Sequence, residues 1–555
     1  MNILFALTLV CMIVGGNGAR ILGVFPFPAK SHYNVYEPLL KGLARKGHEV
    51  VAVSYFPQKV PLPNFTDVDI GSIMPDGTNT LSFDKFGDRK STVYDVKLFI
   101  QFCGLIICEP TFQHPKIQSI LKSKEKFDVF IVEMFASDCF LGIGHVLGIP
   151  ITVAMISSVT LPWANDMIGN PDNPSYIPNF FSGLSDRMNL FQRMDNLWHY
   201  VYSKIHYRYN SDVPAYEIAK KYLGKDLPDF DTLRSRVSLV LANSHPAVST
   251  PRAQTYAFKE LGGIHIPPEG PPPLPKDLKD YLDSHGRDGV IYFSLGSQLN
   301  SSTMSEQAVA AFYKAFEQLP QQILWKCSKE KMPKLPRNVK CIEWAPQLSI
   351  LCHPNVRLFI THSGLLGSQE AVYCGVPILG MPLFGDQHLN MAYFVKKGLG
   401  LQLNYGELSY EAVLAALNEL LLNESYAEVA KKLSLQFKDR PMPPVDEGVY
   451  WIEYLTRHGA DSLKTEASNL SWYQYLLLDV NFIIACATVA VLTAVRAVIR
   501  TTCFQQFLMY GIYIILCAAT VIVKLVRIVY ELSKNLFVSV NDRANARVAR
   551  EKLKK

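Results

Sequence analysis

Short apolar strands alternate with helical segments in two series along this chain, and this alternation is the feature that most constrains its fold. In the first series, a strand at residues 20–25 is followed by a helical pattern at 33–45 and a β-rich run at 49–55. A strand, a helix and a strand within about thirty-five residues form a βαβ unit, which requires a parallel sheet. Further strands of this series are predicted at 127–132, 150–154 and 238–242.

The stretch Gly262–Pro275 separates the two series, because it is rich in Pro and Gly and cannot hold a helix or a central strand. After it, strands are predicted at 290–295, 323–326, 339–343, 358–361 and 376–380, with a helix at 305–318. The sequence therefore predicts an α/β protein with two doubly wound domains. The domain boundaries are 20–261 and 286–440, with a linker at 262–285 and returning helices at 441–471.

The most specific local signal lies in the second series, where the apolar residues 358–360 run into Thr361-His362-Ser363-Gly364 and then into a helical pattern. A helix that starts directly after a strand presents free backbone N–H groups and a positive dipole end, which suits a diphosphate. Upstream, Trp344 can stack on a base. Downstream, Glu370 and the pair Asp386-Gln387 can hold sugar hydroxyls. Base, diphosphate and sugar together indicate a nucleotide-sugar.

This segment resembles the signature of the UDP-glycosyltransferase family, the membrane-bound class that glycosylates small lipophilic molecules. A second family block, Phe293-Ser294-Leu295-Gly296-Ser297, precedes it, and the likeness extends from Ile21 to the first membrane segment. The resemblance implies a GT-B fold, in which two Rossmann-like domains face each other across a cleft. The residues that match the family's order and spacing are Phe359, Thr361, His362, Gly364, Gln369, Glu370, Gly375, Pro377, Pro382, Gly385, Asp386 and Gln387.

One departure from the vertebrate pattern concerns the donor sugar. Where vertebrate members carry a small residue and then Asn, this chain has Leu365-Leu366, so the phosphate contact of that Asn is not carried over. The Leu-Leu version resembles the invertebrate branch, which mostly uses UDP-glucose. UDP-glucose is therefore the favoured donor, and UDP-glucuronate is the second choice.

The catalytic base implied by the resemblance is His32, which follows the first strand at the start of a helix. Strand-end loops of open parallel sheets are where ligands bind. Its task would be to take the proton from an acceptor hydroxyl as that oxygen attacks the anomeric carbon. A carboxylate usually orients such a histidine. The family position for this acid holds Glu133, Asp138 lies five residues further on, and the choice between them stays open.

The resemblance also implies how the second domain holds the donor. Trp344 would stack on uracil, with backbone groups of Ala345 at its edge, while Gln347 and Glu370 would hold the ribose. Asp386 and Gln387 would grip the transferred sugar. The residues implied at the diphosphate are His362, Ser363, Gly364, Gly367 and Ser297 from the opposite loop. No metal or other cofactor is expected, because Asp67-Val68-Asp69 is a common tripeptide, read here as part of a surface loop, and a helix N-terminus with His362 can stabilise the leaving group.

The two ends of the chain predict an enzyme whose catalytic domains cross into the lumen and stay anchored to the membrane. Residues 1–19 have the apolar run and small residues of a signal peptide. Residues 475–495 are long enough to cross a bilayer, which places the catalytic domains in the lumen of the endoplasmic reticulum, and four Asn-x-Ser/Thr sequons agree. Whether a third apolar run, 507–523, also spans is left open, with a cytosolic basic tail at 524–555 favoured.

Charge and cysteine content exclude other classes. Beyond residue 523, nine basic residues face three acidic ones, an excess equal to the net charge of +6 of the whole chain. The remainder is neutral overall, so a nucleic-acid partner has no electrostatic support, and the tail suits anionic lipid or cytosol. Seven cysteines lie outside the signal and membrane segments without Cys-x-x-Cys spacing, which predicts neither a disulfide framework nor a zinc site. An occasional lumenal disulfide stays open.

The sequence thus predicts an inverting hexosyltransferase that moves glucose from UDP-glucose to a small lipophilic acceptor and forms a β-glycoside. Its partners would be a UDP-sugar, the acceptor and the membrane. Two alternatives stay open, namely a UDP-glucuronosyltransferase and a catalytically silent UDP-sugar-binding partner of another transferase. Acceptor identity, attack through oxygen or carbon, and homo-oligomerisation are not decided.

Overall fold

Two parallel sheets build the body of the protein. A computed structural model describes residues 18–75, 77–83, 96–327, 334–501 and 504–552; the predicted signal peptide therefore lies, except for its last two residues, outside the described residues. The chain divides into two compact units, one ending at Asn469 and one from Leu470 to the C-terminus. The first unit contains both sheets.

The first sheet has seven strands in the order β3-β2-β1-β4-β5-β6-β7, and neighbouring strands pair in parallel. Its central strands are fully buried, as expected for a sheet covered by helices on both faces. The strands are β1 (Arg20–Phe25), β2 (Glu49–Ser54), β3 (Phe65–Asp69), β4 (Val129–Glu133), β5 (Ile151–Ile156), β6 (Val237–Ala242) and β7 (Phe258–Glu260).

The second sheet has six parallel strands in the order β10-β9-β8-β11-β12-β13. In each sheet the strand order reverses once, between β1 and β4 in the first and between β8 and β11 in the second. The prediction of two doubly wound α/β domains is confirmed. The strands are β8 (Val290–Ser294), β9 (Gln322–Lys326), β10 (Val339–Ile342), β11 (Val356–Thr361), β12 (Ile378–Gly380) and β13 (Gly400–Gln402).

Helices cover both sheets within the first unit. The helix Pro444–His458 returns to the N-terminal half of the chain. There Gly448 packs closely on Leu39, since a Cβ added to Gly448 would lie 2.8 Å from Cδ1 of Leu39. The helices are α1 (Lys30–Arg45), α2 (Val96–Ile100), α3 (Ile106–Gln113), α4 (Pro115–Lys122), α5 (Leu141–Val146), α6 (Leu190–Tyr207), α7 (Val213–Leu223), α8 (Phe230–Ser235), α9 (Lys276–Asp283), α10 (Glu306–Phe316), α11 (Gln347–Leu351), α12 (Leu365–Cys374), α13 (Gln387–Lys397), α14 (Tyr410–Leu422), α15 (Ser425–Lys438) and α16 (Pro444–His458).

The second unit is helical, with α17 (Trp472–Tyr475), α18 (Leu478–Thr501) and α19 (Phe504–Lys552). Two stretches, Leu478–Val498 and Tyr510–Leu536, are long and apolar enough to cross a membrane. The first overlaps the predicted span at 475–495. The second extends beyond the apolar run predicted at 507–523 into the region taken as the basic tail.

Three disulfides link neighbouring elements of the first unit, and the prediction of no disulfide framework is wrong. The pairs are Cys108–Cys139, Cys327–Cys341 and Cys352–Cys374. Their partners are separated by 31, 14 and 22 residues, so the packing of α3 on the loop after β4, of β9 on β10, and of α11 on α12 brings them together. The cysteine spacing contains no short motif from which this packing could be predicted.

Candidate active site

The reversal point of the first sheet brings together three polar side chains from different parts of the sequence. His32 lies in the first turn of α1, which follows β1, while Glu133 ends β4 and Ser157 follows β5. The carboxyl ends of these adjacent parallel strands lie at one edge of the sheet, the location where open α/β sheets bind ligands. His32 Nδ1 is 2.7 Å from Glu133 Oε1 and 3.0 Å from Ser157 Oγ.

This geometry fixes the tautomer of His32. A carboxylate only accepts hydrogen bonds, so the imidazole donates Nδ1–H to Glu133 and keeps Nε2 as a free base. Glu133 is buried and also accepts a 3.0 Å hydrogen bond from the Tyr36 hydroxyl. Burial and the charge of Glu133 raise the pKa of Tyr36 well above its usual value, so it remains a donor. The arrangement is that of a general base with its orienting acid.

Asp138, the other acid left open by the sequence, lies in a different environment. Its Oδ2 accepts a 2.6 Å hydrogen bond from Arg234 Nε, and the same buried guanidinium binds Asp212. Burial raises the pKa of Asp138 while Arg234 opposes the shift. The structure therefore pairs Glu133 with His32, and it assigns Asp138 to a buried ion network that stabilises the fold.

Aromatic rings surround the imidazole on the side of the N-terminal half. The His32 ring lies 4.6 Å from Phe27 and 4.4 Å from Phe135, measured between centroids. Phe135 contacts Phe99, which in turn contacts Phe181 at 5.2 Å. The rings of Phe27, Phe135, Phe99 and Phe181 thus form a continuous aromatic wall beside His32. Such a wall suits an apolar molecule that carries one hydroxyl.

The reversal point of the second sheet places two loops against each other. The loop with Ser297 follows β8, and His362 follows β11, which is paired with β8 through Thr361 and Ser294. A Cβ on Gly364 would lie 2.5 Å from His362 Nε2, and one on Gly296 would lie 2.6 Å from His362 Cε1. Only glycine at both positions lets the imidazole sit between these loops.

The N-terminus of α12, next to His362, has no side-chain cap. Gly364 is its N-cap and supplies no side chain, so the first backbone N–H groups have no cap. Ser363 is fully buried and adopts φ of 65°, and its carbonyl oxygen accepts a hydrogen bond from Asn390. This left-handed residue turns the chain from β11 into the helix. The turn from strand to helix that the sequence predicts here is present, and its use as a diphosphate site stays a prediction.

The positive charge near this site comes from a residue that the sequence reasoning missed. Burial, together with Lys326, lowers the pKa of His362 to about 4, so its imidazole is neutral at physiological pH. Lys326 ends β9 and its Nζ lies 3.0 Å from the carbonyl oxygen of Gly296. Burial lowers the pKa of Lys326 as well. His362 can therefore donate a hydrogen bond to a phosphate, whereas Lys326 supplies the cation.

The residues predicted to hold the uracil and the ribose lie before α11, at the start of α11 and within α12. Trp344 is 71% exposed, so it is no core aromatic, and Ala345 follows it half-buried. Gln347 Nε2 donates a 2.7 Å hydrogen bond to Glu370 Oε2. A Cβ on Gly367 would lie 2.9 Å from Gln347 Nε2, which explains the glycine at that position. Burial raises the pKa of Glu370 to about 7.

His265, which lies in the Pro-rich linker and matches no motif, also approaches this carboxylate. Its Nε2 lies 3.7 Å from Glu370 Oε1, and neither ring nitrogen makes a hydrogen bond in the described part of the chain. Burial lowers its pKa to about 4. The linker is held here because Gly263 N–H donates to Gln369 Oε1 at 3.0 Å.

The two residues predicted at the transferred sugar differ in which of their polar atoms already make hydrogen bonds. Gln387 Oε1 accepts hydrogen bonds from the backbone of Leu383 and Phe384, so its amide nitrogen is the group left for a ligand. Asp386 accepts a 2.9 Å hydrogen bond from Asn390. Burial raises the pKa of Asp386, and the hydrogen bond from Asn390 opposes that shift. The contact with Asn390 thus fixes the position of this carboxyl group.

A segment of the N-terminal half pairs with the Ser297 loop. Asn79 N–H donates to the Ser297 carbonyl at 2.8 Å, and Leu81 N–H donates to the Gln298 carbonyl at 3.0 Å. Phe83 at the end of this segment is buried in the hydrophobic core of the C-terminal half. The two halves are thus joined beside the cleft as well as through the linker.

Comparisons with known proteins place this geometry in a family. A family model described as UDP-glucoronosyl and UDP-glucosyl transferase matches residues 66–511. UDP-glucosyltransferase 2 of Dactylopius coccus is 40% identical over 471 residues, which cover 84% of this chain and 89% of the relative. UDP-glucuronosyltransferase 2B17 of Homo sapiens is 28% identical over 537 residues, which cover 92% and 98%.

Solved structures share the fold at low identity. A UDP-glucose: anthocyanidin 3-O-glucosyltransferase in complex with UDP aligns with a TM-score of 0.54 at 17% identity and covers 80% of this chain and 99% of that chain. Glycosyltransferase VinC in complex with DTDP aligns with a TM-score of 0.52 at 18% identity, covering 79% and 100%. The predicted GT-B architecture is confirmed by these neighbours.

Proposed function

The chain belongs to the UDP-glycosyltransferase family, and on that premise we propose that it transfers glucose from UDP-glucose to a hydroxyl of a small lipophilic acceptor with inversion. The transfer of a glucosyl or glucuronosyl group from a UDP-sugar is the activity of the family. The observation that carries the finer proposal is the 2.7 Å contact between His32 Nδ1 and Glu133 Oε1.

His32 acts as the general base. Its free Nε2 takes the acceptor proton while the acceptor oxygen bonds to the anomeric carbon and the bond to UDP breaks. Glu133 stabilises the imidazolium that forms, as the carboxylate of a catalytic triad does. The rings of Phe27 and Phe135 exclude water from the base and hold the apolar part of the acceptor.

The C-terminal half holds the donor. Uracil stacks on Trp344 beside Ala345, and the ribose hydroxyls bind Gln347 and Glu370. Asp386 and Gln387 hold the hexose. The diphosphate binds the N-terminus of α12 and the groups around it, which are Ser297, Lys326, His362, Ser363, Gly364 and Gly367.

Leaving-group stabilisation comes from this cradle, and we expect no metal. The dipole of α12, its free N–H groups and the Lys326 ammonium all point positive charge at the departing UDP. Asp67-Val68-Asp69 lies in the edge strand β3 rather than in the predicted surface loop, and Asp69 there accepts a hydrogen bond from Gly71. A single attack from the His32 side, opposite to UDP, converts an α-linked donor into a β-glycoside.

We place the catalytic unit in the lumen of the endoplasmic reticulum, with α18 in its membrane. The three disulfides support an oxidising compartment, and the apolar length of α18 supports the anchor. UDP-glucose is preferred over UDP-glucuronate because of the Leu365-Leu366 sequence and the likeness to a protein named UDP-glucosyltransferase 2.

The test uses the full chain in microsomes with labelled UDP-glucose or UDP-glucuronate and a panel of lipophilic phenols and steroids, with products identified by mass. We expect hexosides from UDP-glucose. His32→Ala should lower kcat about 10³-fold, as expected for loss of a general base, while UDP binding measured by calorimetry is unchanged. Turnover unchanged in His32→Ala would refute the base assignment.

Two acids provide a matched comparison. Glu133→Gln keeps an acceptor for Nδ1–H but removes the charge, so kcat should fall about 10²-fold without a change in melting temperature. Asp138→Asn should lower the melting temperature, because a charge of the buried network is lost, and leave kcat unchanged below that temperature. The reverse pattern would reassign the orienting acid to Asp138. UDP binding without any product would favour the silent-partner alternative.

A further inference from the structure

Helix α6 is built the opposite way round from a helix of a soluble domain. Its buried side chains are Asn196, Ser203 and, in its last turn, Tyr207, and the first two are polar. Asn196 Nδ2 donates to the carbonyl oxygens of Pro174 and Ile177 at 2.7 and 2.8 Å, and its Oδ1 accepts from Asn179 N–H at 2.8 Å. These hydrogen bonds fix which face of the helix points inward.

The outward face of the same helix is apolar. At 100° per residue its large apolar side chains fall within about 120° of arc, opposite the buried asparagine. Each is between 40% and 78% exposed. These residues, called here the α6 stripe, are Leu190, Phe191, Met194, Leu197, Trp198, Val201 and Ile205.

A stripe of this size is costly in water. A helix of eighteen residues is about 27 Å long, and seven exposed apolar side chains along it form a patch of the kind that marks an interaction site. Folding alone offers no reason for the pattern, since a surface helix normally turns its apolar side to the core. The stripe is therefore expected to have a partner.

The chemistry of the surrounding residues favours lipid as that partner. Arg187 and Arg193 are exposed beside the stripe, whereas Lys204 is paired with Asp166 and Arg208 with Asp212 and Asp231. Exposed guanidinium groups next to an apolar stripe suit the phosphates of lipid headgroups. Trp198, within the stripe, is a residue type enriched at membrane interfaces.

The apolar helix α18 would also hold the catalytic unit close to a bilayer. The apolar helix α18 begins nine residues after the first unit ends at Asn469, so the catalytic unit is tethered to the membrane at high effective concentration. Amphipathic helices with basic flanks and an aromatic apolar face lie in the plane of a membrane, with that face about 5–10 Å deep in the headgroup region.

We propose that α6 lies on the lipid surface with the α6 stripe inserted between the headgroups. The inner end of the helix then connects this surface to the base. Tyr207 stacks on Trp163 at 4.1 Å, and Trp163 lies 6.3 Å from Phe99, whose ring contacts Phe135 beside His32. Acceptors dissolved in the bilayer would enter the aromatic pocket along this wall; that part rests on the proposed function.

The lipid contact is tested on the full chain in nanodiscs made with ordinary or brominated phosphatidylcholine. The emission of Trp198 is obtained as the difference between the wild-type protein and Trp198→Phe. We expect bromine to reduce this component by about half, because an inserted indole lies among the brominated chains. The matched control is Trp344→Phe, whose 71%-exposed indole lies outside the stripe and should be unaffected.

A second arm measures turnover with 1-naphthol as acceptor. Met194→Gln combined with Val201→Gln keeps helix propensity and should raise the KM for 1-naphthol about fivefold, with the KM for UDP-glucose unchanged. Leu435→Gln, an exposed apolar residue on α15, should change neither. Circular dichroism and melting temperature confirm that the variants fold.

Emission of Trp198 that is insensitive to brominated lipid would overturn the proposal. So would a concentration-dependent dimer in detergent that the Gln variant dissociates, since the stripe would then be a subunit interface. The emission measurement needs no turnover. A failure of the proposed reaction and a failure of the lipid contact are therefore distinguishable.

Discussion

Glu370 is a carboxyl whose charge state changes within the physiological pH range. Burial raises its pKa to about 7, so it is half protonated in the free protein. A ribose hydroxyl that donates to this group binds the ionised form more strongly. The affinity for UDP-glucose should therefore rise as the pH increases from 6 to 8, by up to about tenfold, because the ionised fraction increases through the pKa.

Calorimetric titration of UDP-glucose at several pH values checks this expectation, since the sugar nucleotide has no phosphate group that titrates in this range. Glu370→Gln should abolish the pH dependence and bind at one affinity throughout. A pH profile that keeps its slope in Glu370→Gln would assign the titration to another group. His265, 3.7 Å from the same carboxyl, would be examined next.

The roles of single residues could be predicted where a short motif carries them. The roles of His32, His362, Glu370 and Asp386 follow from the family resemblance and stay predictions, while the structure adds the 2.7 Å contact of His32 with Glu133. Lys326 was missed because it ends a strand whose pattern shows only apolar periodicity. The choice between Glu133 and Asp138 needed the fold, since Glu133 ends β4 and Asp138 lies in the loop just after it. Only the packing shows that Glu133 contacts His32, whereas Asp138 contacts Arg234.

At the scale of elements, the position of the His362 imidazole in the C-terminal half depends on how closely β11, the loop after it and α12 approach each other. Gly364 has φ of −62°, which any residue tolerates, and the atom nearest to an added Cβ there is Nε2 of the His362 ring at 2.5 Å. Gly364→Ala should displace that imidazole from the N-terminus of α12. We expect the KM for UDP-glucose to rise about tenfold, equivalent to the loss of one charge-assisted hydrogen bond.

Steady-state kinetics with each substrate varied in turn measure this effect, and the KM for the acceptor should not change. Gly286→Ala is the matched control, because a Cβ there would meet only Asn355 at 3.3 Å in a loop before β8. If the KM for UDP-glucose is unchanged in Gly364→Ala, donor binding does not depend on the position of the His362 imidazole at the N-terminus of α12.

Elements were predictable where apolar periodicity is strong, as in β1, β8 and α1. The strands β3, β7 and β13 were not foreseen. β3 alternates apolar residues with acidic ones at a sheet edge, and β7 and β13 have three residues each, so their pairing depends on the neighbouring strand more than on their own pattern. Disulfide pairing was likewise set by packing between elements rather than by spacing.

At the scale of the whole first unit, the proposed mechanism requires that His32 of the N-terminal half stay aligned with the proposed sugar site of the C-terminal half. The parallel pairing of Leu81 with Leu299 ties the N-terminal half to the Ser297 loop. Phe83 then enters the core of the C-terminal half, where its ring lies 4.9 Å from Tyr405. Nothing in the local sequence around Phe83 indicates this, because the contact joins residues more than two hundred positions apart.

Phe83→Ala should therefore affect both stability and alignment. Removing a buried ring costs about 3 kcal/mol, which lowers the melting temperature. Because the same segment supports the Ser297 loop, the KM for UDP-glucose should also rise and kcat fall, each by about threefold to tenfold. Phe316→Ala removes a ring from the same core without touching the segment, so it should lower the melting temperature alone. If Phe83→Ala behaves like Phe316→Ala, the segment stabilises the fold but does not align the two halves, and the linker and α16 must do so instead.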